Sequence, residues 1–241
     1  MRRLPPVCPL ALLFLTGCIG VSQTRRESPV AHRGVERCRY GVRPAMDGDL
    51  DDFEDGDNRL TRMAGRDGYW WTKKDSFGST VSLMPEDGGA DGSELAMHMT
   101  GTTTSGKGDE NWGAGVGVNF VTQGLIYDAS KYAGISFKAK AGPGSTRRVR
   151  FKIGDVNTHP DGKVCSKCWN HFGMDLTLTG GWREYPILFS EVEQEPGWGS
   201  PRPAAVDPRK LIAIDWTIGP GQTYDIWIDD LVMLECKPSS S

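Results

Sequence analysis

The feature that most constrains this chain is a repeated alternation of apolar and polar residues with a period of two. Leu95-Ala96-Met97-His98-Met99 alternates, and Val116, Val118 and Phe120 fall on one side of an extended chain. So do Ile135, Phe137 and Ala139, while Val149, Phe151 and Ile153 interleave with Arg148, Arg150 and Lys152. The pattern returns at Ile212, Ile214, Trp216 and Ile218, and again at Tyr224, Ile226 and Ile228. Successive side chains of a strand point to opposite faces, so such runs bury one face and leave the other in water. The 31 glycines, with Pro, Asp and Asn between the runs, supply the turns. No stretch holds a helical period for three turns, although 190–195 has room for one. The expected fold is all-β: an antiparallel β-sandwich of the jelly-roll type, of about ten strands, over residues 47–236. Trp216 continues an apolar face, and Trp71 and Trp182 sit in strand-like runs, so these three are expected in the core.

Ahead of the strands, Arg2 and Arg3 precede an uncharged apolar stretch from Val7 to Phe14 that only Pro9 interrupts. Leu15-Thr16-Gly17-Cys18 follows. A basic start, a short apolar run and small residues at a cleavage point mark a secretory signal. A bilayer-spanning helix needs roughly 20 apolar residues, more than this run has. Cys18 after Thr16-Gly17 resembles the lipobox of bacterial lipoproteins. That resemblance implies cleavage of 1–17, lipidation of Cys18 and attachment to a membrane, with 18–46 as a flexible tether. Ile19 stands where an aspartate would favour inner-membrane retention, which points to the outer membrane. Residues 237–241 read as a tail. Loss of Arg2 and Arg3 moves the formal charge from −3 to −5. A mildly acidic chain without basic runs is a poor ligand for nucleic acid phosphates.

Of the six cysteines, Cys8 lies in the signal and Cys18 takes the lipid. Cys38, Cys165, Cys168 and Cys236 remain, an even number suited to an oxidising compartment. Three pairings are open. Cys38 with Cys236 is preferred because both flank the folded region, leaving Cys165 with Cys168 inside a loop.

A series of landmarks follows in order: Asp51-Asp52-Phe53-Glu54-Asp55-Gly56-Asp57, Gly68-Tyr69-Trp70-Trp71 with Asp75, and Trp112-Gly113-Ala114-Gly115-Val116-Gly117. Then come Tyr132-Ala133-Gly134-Ile135-Ser136-Phe137-Lys138-Ala139-Lys140, His171-Phe172-Gly173, Trp182-Arg183-Glu184-Tyr185, Gly197-Trp198-Gly199 and Asp225-Ile226-Trp227-Ile228-Asp229-Asp230-Leu231. This order resembles the galactose-binding-like jelly rolls. Family-11 carbohydrate-binding modules and domains like the complex I intermediate-associated protein 30 are the nearest in pattern. The resemblance implies a structural calcium where the first and last strands meet, with Glu54, Asp57 and Asp230 at the matching positions. Calcium wants about six to eight oxygen ligands.

Sugar binding needs aromatic rings against the apolar face of a pyranose and polar groups for its hydroxyls. Eight tryptophans occur, and Trp112, Trp169 and Trp198 stand beside glycines or polar loop residues, where burial is least required. They are the stacking candidates. Asp155, Asn157, Thr158, His159 and His171 are the polar candidates, because they share the long loop after the Val149 to Ile153 run. The same loop offers a rival, zinc on His159, Cys165, Cys168 and His171, although the usual partner spacing is missing. Glu184 with Asp175, or Glu110 with Asp109, are carboxylate pairs of the kind a glycoside hydrolase uses, but 31 acids produce such pairs by chance. The expected function is therefore a membrane-anchored, extracytoplasmic module that binds a glycan without cleaving it. The alternatives are an envelope protein that binds another protein through the same loops, and a hydrolase.

Overall fold

The computed structural model describes residues 38–239 apart from 107 and 109. The signal segment, Cys18 and Asp109 lie outside the described residues. Among the described residues, eleven strands form two antiparallel sheets: β1 Val42–Asp51, β2 Trp70–Lys74, β3 Ser82–Asp87, β4 Leu95–Thr102, β5 Ala114–Asn119, β6 Gly134–Ala141, β7 Arg148–Asp155, β8 Phe172–Thr177, β9 Arg183–Leu188, β10 Leu211–Ile218 and β11 Thr223–Cys236. The first sheet runs β3-β4-β11-β6-β9, with β1 also on β11; the second runs β2-β5-β10-β7-β8. Each alternating run in the sequence falls on one of these strands with its apolar half facing the other sheet, except that a register slip between Leu211 and Ala213 turns Ile212 away from the main core, toward Val156 and Trp71. Phe137 packs on Phe151 at 5.2 Å and edge-on to Trp216 at 5.1 Å, tying the two sheets through one aromatic cluster. Trp70 stacks on Trp216 at 5.6 Å, and its indole N–H donates to Asp51 Oδ2 at 2.7 Å.

Three expectations need correction. β1 starts at Val42, inside the segment read as tether, because its backbone pairs with the end of β11 from Val42–Cys236 to Asp51–Leu231. The short polar stretch 42–49 carries no clear alternation, since its ladder slips register twice. Trp71 and Trp182 are not core residues. Trp71 points to the outer face of the second sheet, its N–H donating to Asn119 at 2.9 Å, and Trp182 lies half-buried against the Lys140 ammonium at 4.5 Å. The adjacent Trp70 takes the inward place, because one step along a strand reverses the face.

Both preferred disulfides are present. Cys38–Cys236 joins the two ends of the domain across a sequence separation of 198, and Cys165–Cys168 closes a small loop. No helix among the described residues is long and apolar enough to cross a membrane.

Candidate glycan-binding groove

The outer face of the second sheet is a floor with two rows of side chains. One row crosses it as Trp71, Gly117, Asp215, Lys152 and Gly173; the next runs Lys73, Gly115, Thr217, Arg150 and Asp175. The glycines of the Gly115-Val116-Gly117 run clear space on β5. A Cβ on Gly117 would sit 2.5 Å from the Trp71 ring, so only glycine lets that indole lie across the strand. Val116 between them points into the core, which accounts for the alternation of glycine with valine there.

Above this floor, a groove of about 1290 Å³ is walled by three tryptophans from three separate loops: Trp112, Trp169 and Trp198. They are 36%, 45% and 41% exposed, high values for so large an apolar side chain. The loops of Trp169 and Trp198 are braced. Asn170 is buried and donates from Nδ2 to the carbonyls of Trp198 at 2.7 Å and Glu195 at 2.9 Å, while its Oδ1 accepts from Glu195 N–H at 3.0 Å. Arg202 donates to the same two carbonyls. Trp169 is held in the left-handed region at φ 77 and its N–H donates to Thr158 O at 2.9 Å. A bulky residue at such a φ costs of order 1–3 kcal/mol, tolerated only where its surroundings impose it.

At the centre of the floor, Asp215 is fully buried. Lys73 Nζ lies 2.8 Å from its Oδ1 and Lys152 Nζ 3.4 Å from the same oxygen, with Thr217 Oγ1 also donating to it at 2.8 Å. Burial alone would raise the carboxyl, but the two ammonium groups outweigh it and hold Asp215 well below the usual carboxylate range. Lys73 is pulled the other way: burial lowers it to about 8, against the attraction of Asp215. Its ammonium sits 5.5, 5.9 and 5.7 Å from the ring centroids of Trp71, Trp112 and Trp169, so one cation holds three indoles together. His171, beneath, is kept neutral by burial; its Nδ1 meets Thr158 Oγ1 at 2.9 Å and its Nε2 stands 4.0 Å from Asp215 Oδ2.

The polar candidates of the 155–171 loop are placed differently from expectation. Asp155 is fully buried and accepts from Asn157 N–H, Thr158 Oγ1 and Asp207 N–H. Thr158, His159 and His171 are buried too, and Asn157 is half-buried outside the groove lining. These five stitch the loop to the sheet beneath the tryptophans, because a loop this long must satisfy its own backbone donors. The polar groups that line the groove come from strand faces instead: Lys73, Arg148, Arg150, Lys152 and Asp175, with Glu195 at the rim. The signal for them was the polar half of the β7 alternation.

Other expected chemistry is not assembled. The Cys165–Cys168 disulfide occupies both sulfurs of the zinc set. Among the described residues no three His, Cys, Asp or Glu side chains form a group able to hold a metal ion. The calcium candidates each have protein partners. Glu54 spends its carboxylate on Ser93 Oγ and the Leu95 N–H, and Asp57 accepts from Arg59 N–H. Asp230 is paired with Lys138 Nζ at 2.6 Å, which also reaches Asp91 at 2.7 Å, so an ammonium ties the β11 bend to the 88–94 turn. Glu184 and Asp175 lie on different sheets, facing opposite sides of the sandwich, and cannot flank one bond.

No family model matches the chain, and no curated protein matches it. Among solved structures, the family-11 carbohydrate-binding module of the Clostridium thermocellum cellulase Lic26A-Cel5E superposes with a TM-score of 0.56 at 18% identity, covering 81% of this chain and 99% of that one. The chain has the family-11 jelly-roll fold. A second family-11 structure from Clostridium thermocellum, in complex with a β-1,3-1,4-mixed-linked tetrasaccharide, gives 0.54 at 19% identity over 80% and 98% of the two chains. A family-30 carbohydrate-binding module gives 0.50 at 11% identity over 71% and 85%. The family-11 likeness spans nearly the whole length of those modules.

Proposed function

We propose that this protein is a non-catalytic glycan-binding module that is exported and tethered to a membrane through lipid on Cys18. The observation that carries the binding reading is the convergence of Trp112, Trp169 and Trp198 along one groove, each from a separate loop and each substantially exposed. Exposed indoles cost free energy in water, and flat rings spaced along a groove suit the apolar faces of successive pyranoses. The bound tetrasaccharide of one family-11 structure supports an oligosaccharide as the ligand class. Affinity gel electrophoresis against a polysaccharide panel tests it: retardation by at least one polymer is expected, with Trp112→Ala and Trp198→Ala each reducing it. Unchanged mobility on every polymer would overturn the reading. The lipid anchor rests on the segment ending at Cys18. Cys18→Ala should move the protein from the membrane to the soluble fraction and abolish fatty-acid labelling.

A further inference from the structure

We infer that the glycan taken by this groove is acidic, with a uronate carboxylate seated on the floor at Lys73 and Lys152 and Arg148 further along the same lining; this rests on the glycan-binding reading above. The charges on the floor do not cancel locally. Arg150 is matched by Asp175 at 2.9 Å and by Glu195 at 3.9 Å. Lys73 and Lys152, by contrast, converge on a single oxygen of one carboxylate, which leaves one ammonium without its own counter-charge at the centre of the groove. Arg148, exposed at the next outward position of β7, forms no ion pair among the described residues and adds a second cation to the same lining. This concentration of positive charge stands on a chain whose formal charge is −3, so it is not a consequence of overall composition.

Crowding two ammonium groups onto one buried carboxylate costs free energy that a neutral pyranose, offering hydroxyls alone, would not recover. An incoming carboxylate supplies the missing counter-charge in a partly dry site, where charge-assisted hydrogen bonds are strongest. An anion beside Lys73 opposes the burial that lowers it and so favours its charged form. The tryptophans stack on the ring faces while the lysines take the acid group, so size, stacking and charge are read at one place.

The test compares three polymers with the full mature protein by affinity electrophoresis and calorimetry: polygalacturonate, the same polymer after carboxyl reduction, and a neutral mixed-linked β-glucan. Expected is binding to the uronate polymer about tenfold tighter than to its reduced form, weakening with salt. Lys152→Gln should bring the two affinities to near parity. Arg148→Gln, at an exposed position where folding is not at stake, should narrow the gap as well. Equal binding to uronate and reduced polymer, or binding to the neutral glucan alone, would overturn the inference and leave the glycan reading standing. Binding to none of the three, with no retardation across the wider panel, would overturn that reading and the inference with it. Dextran sulfate bound as tightly as the uronate, with Trp198→Ala without effect, would show attraction by charge alone and also overturn it.

Discussion

Lys73 and Asp51 show how burial gives individual residues their character. Lys73 faces Asp215 from β10, Lys152 from β7, His159 and His171 from beneath, and three indole rings. Burial brings it to about 8, so it loses its proton at mildly alkaline pH. Affinity for an acidic glycan should fall as pH rises from 7 to 9, and Lys73→Arg, which stays charged, should flatten that profile in calorimetric titrations. Asp51 is shifted upwards to about 8 by burial, although Trp70 and the Phe53 N–H donate to it. Its folded value lies above its unfolded one, so the native state holds the extra proton between about pH 4 and 8. Stability from this group is therefore present at low pH and lost as pH rises through that window. Denaturant titrations should show Asp51→Asn removing a decline that approaches about 1.4 kcal/mol per pH unit there. A pH profile identical in the two proteins would contradict the assignment.

At the level of strands and loops, legibility followed periodicity. The long alternating runs at β5, β6, β7, β10 and β11 were readable, because one face of each is apolar and the other polar. β1 was not, since its pairing depends on the partner strand rather than on its own pattern, and register slips at Asp49 break its alternation. Trp112, Trp169 and Trp198 were legible as loop aromatics beside glycines or polar loop residues, and the structure brings them to one groove. The floor beneath them was not legible, because knowing which polar strand residues share a face with those loops requires the strand order. Asp155 and His171 look like ligands in sequence, yet both are buried beneath the groove, Asp155 accepting from Asn157, Thr158 and Asp207 and His171 meeting Thr158 through Nδ1. Asn170 is the element-scale lesson in reverse: unremarked in sequence, it clamps the Trp198 loop through its amide. Asn170→Ala should cost about 1–3 kcal/mol, read from chemical denaturation, by removing three hydrogen bonds of a buried amide and leaving the Glu195 N–H without its Oδ1 acceptor. It should also weaken glycan binding without any change to a groove side chain.

For the molecule as a whole, the fold was legible and its fastening only partly so. The Cys38–Cys236 pairing follows from position at the domain's flanks; the Lys138 tie between Asp91 and Asp230 does not, since it depends on a bend in β11 where Asp230 takes a φ of 49. A cross-link over so long a separation mainly restricts the unfolded chain. Replacing Cys38 and Cys236 by serine should lower unfolding free energy by about 2–5 kcal/mol with strand content unchanged. Circular dichroism and urea titration check both halves of that statement.

The same cross-link sets how the domain would bear a load. β1 enters the first sheet directly after Cys38 and runs along β11, which is itself flanked by β4 and β6. Tension drawn from a membrane-held N-terminus against a polymer gripped at the groove would reach Cys38 first. The disulfide passes that pull to Cys236, at the end of a central strand, instead of unzipping β1 one hydrogen bond at a time. On the proposed tethered reading, covalent routing of this kind would keep β1 from being peeled away while the groove held its ligand.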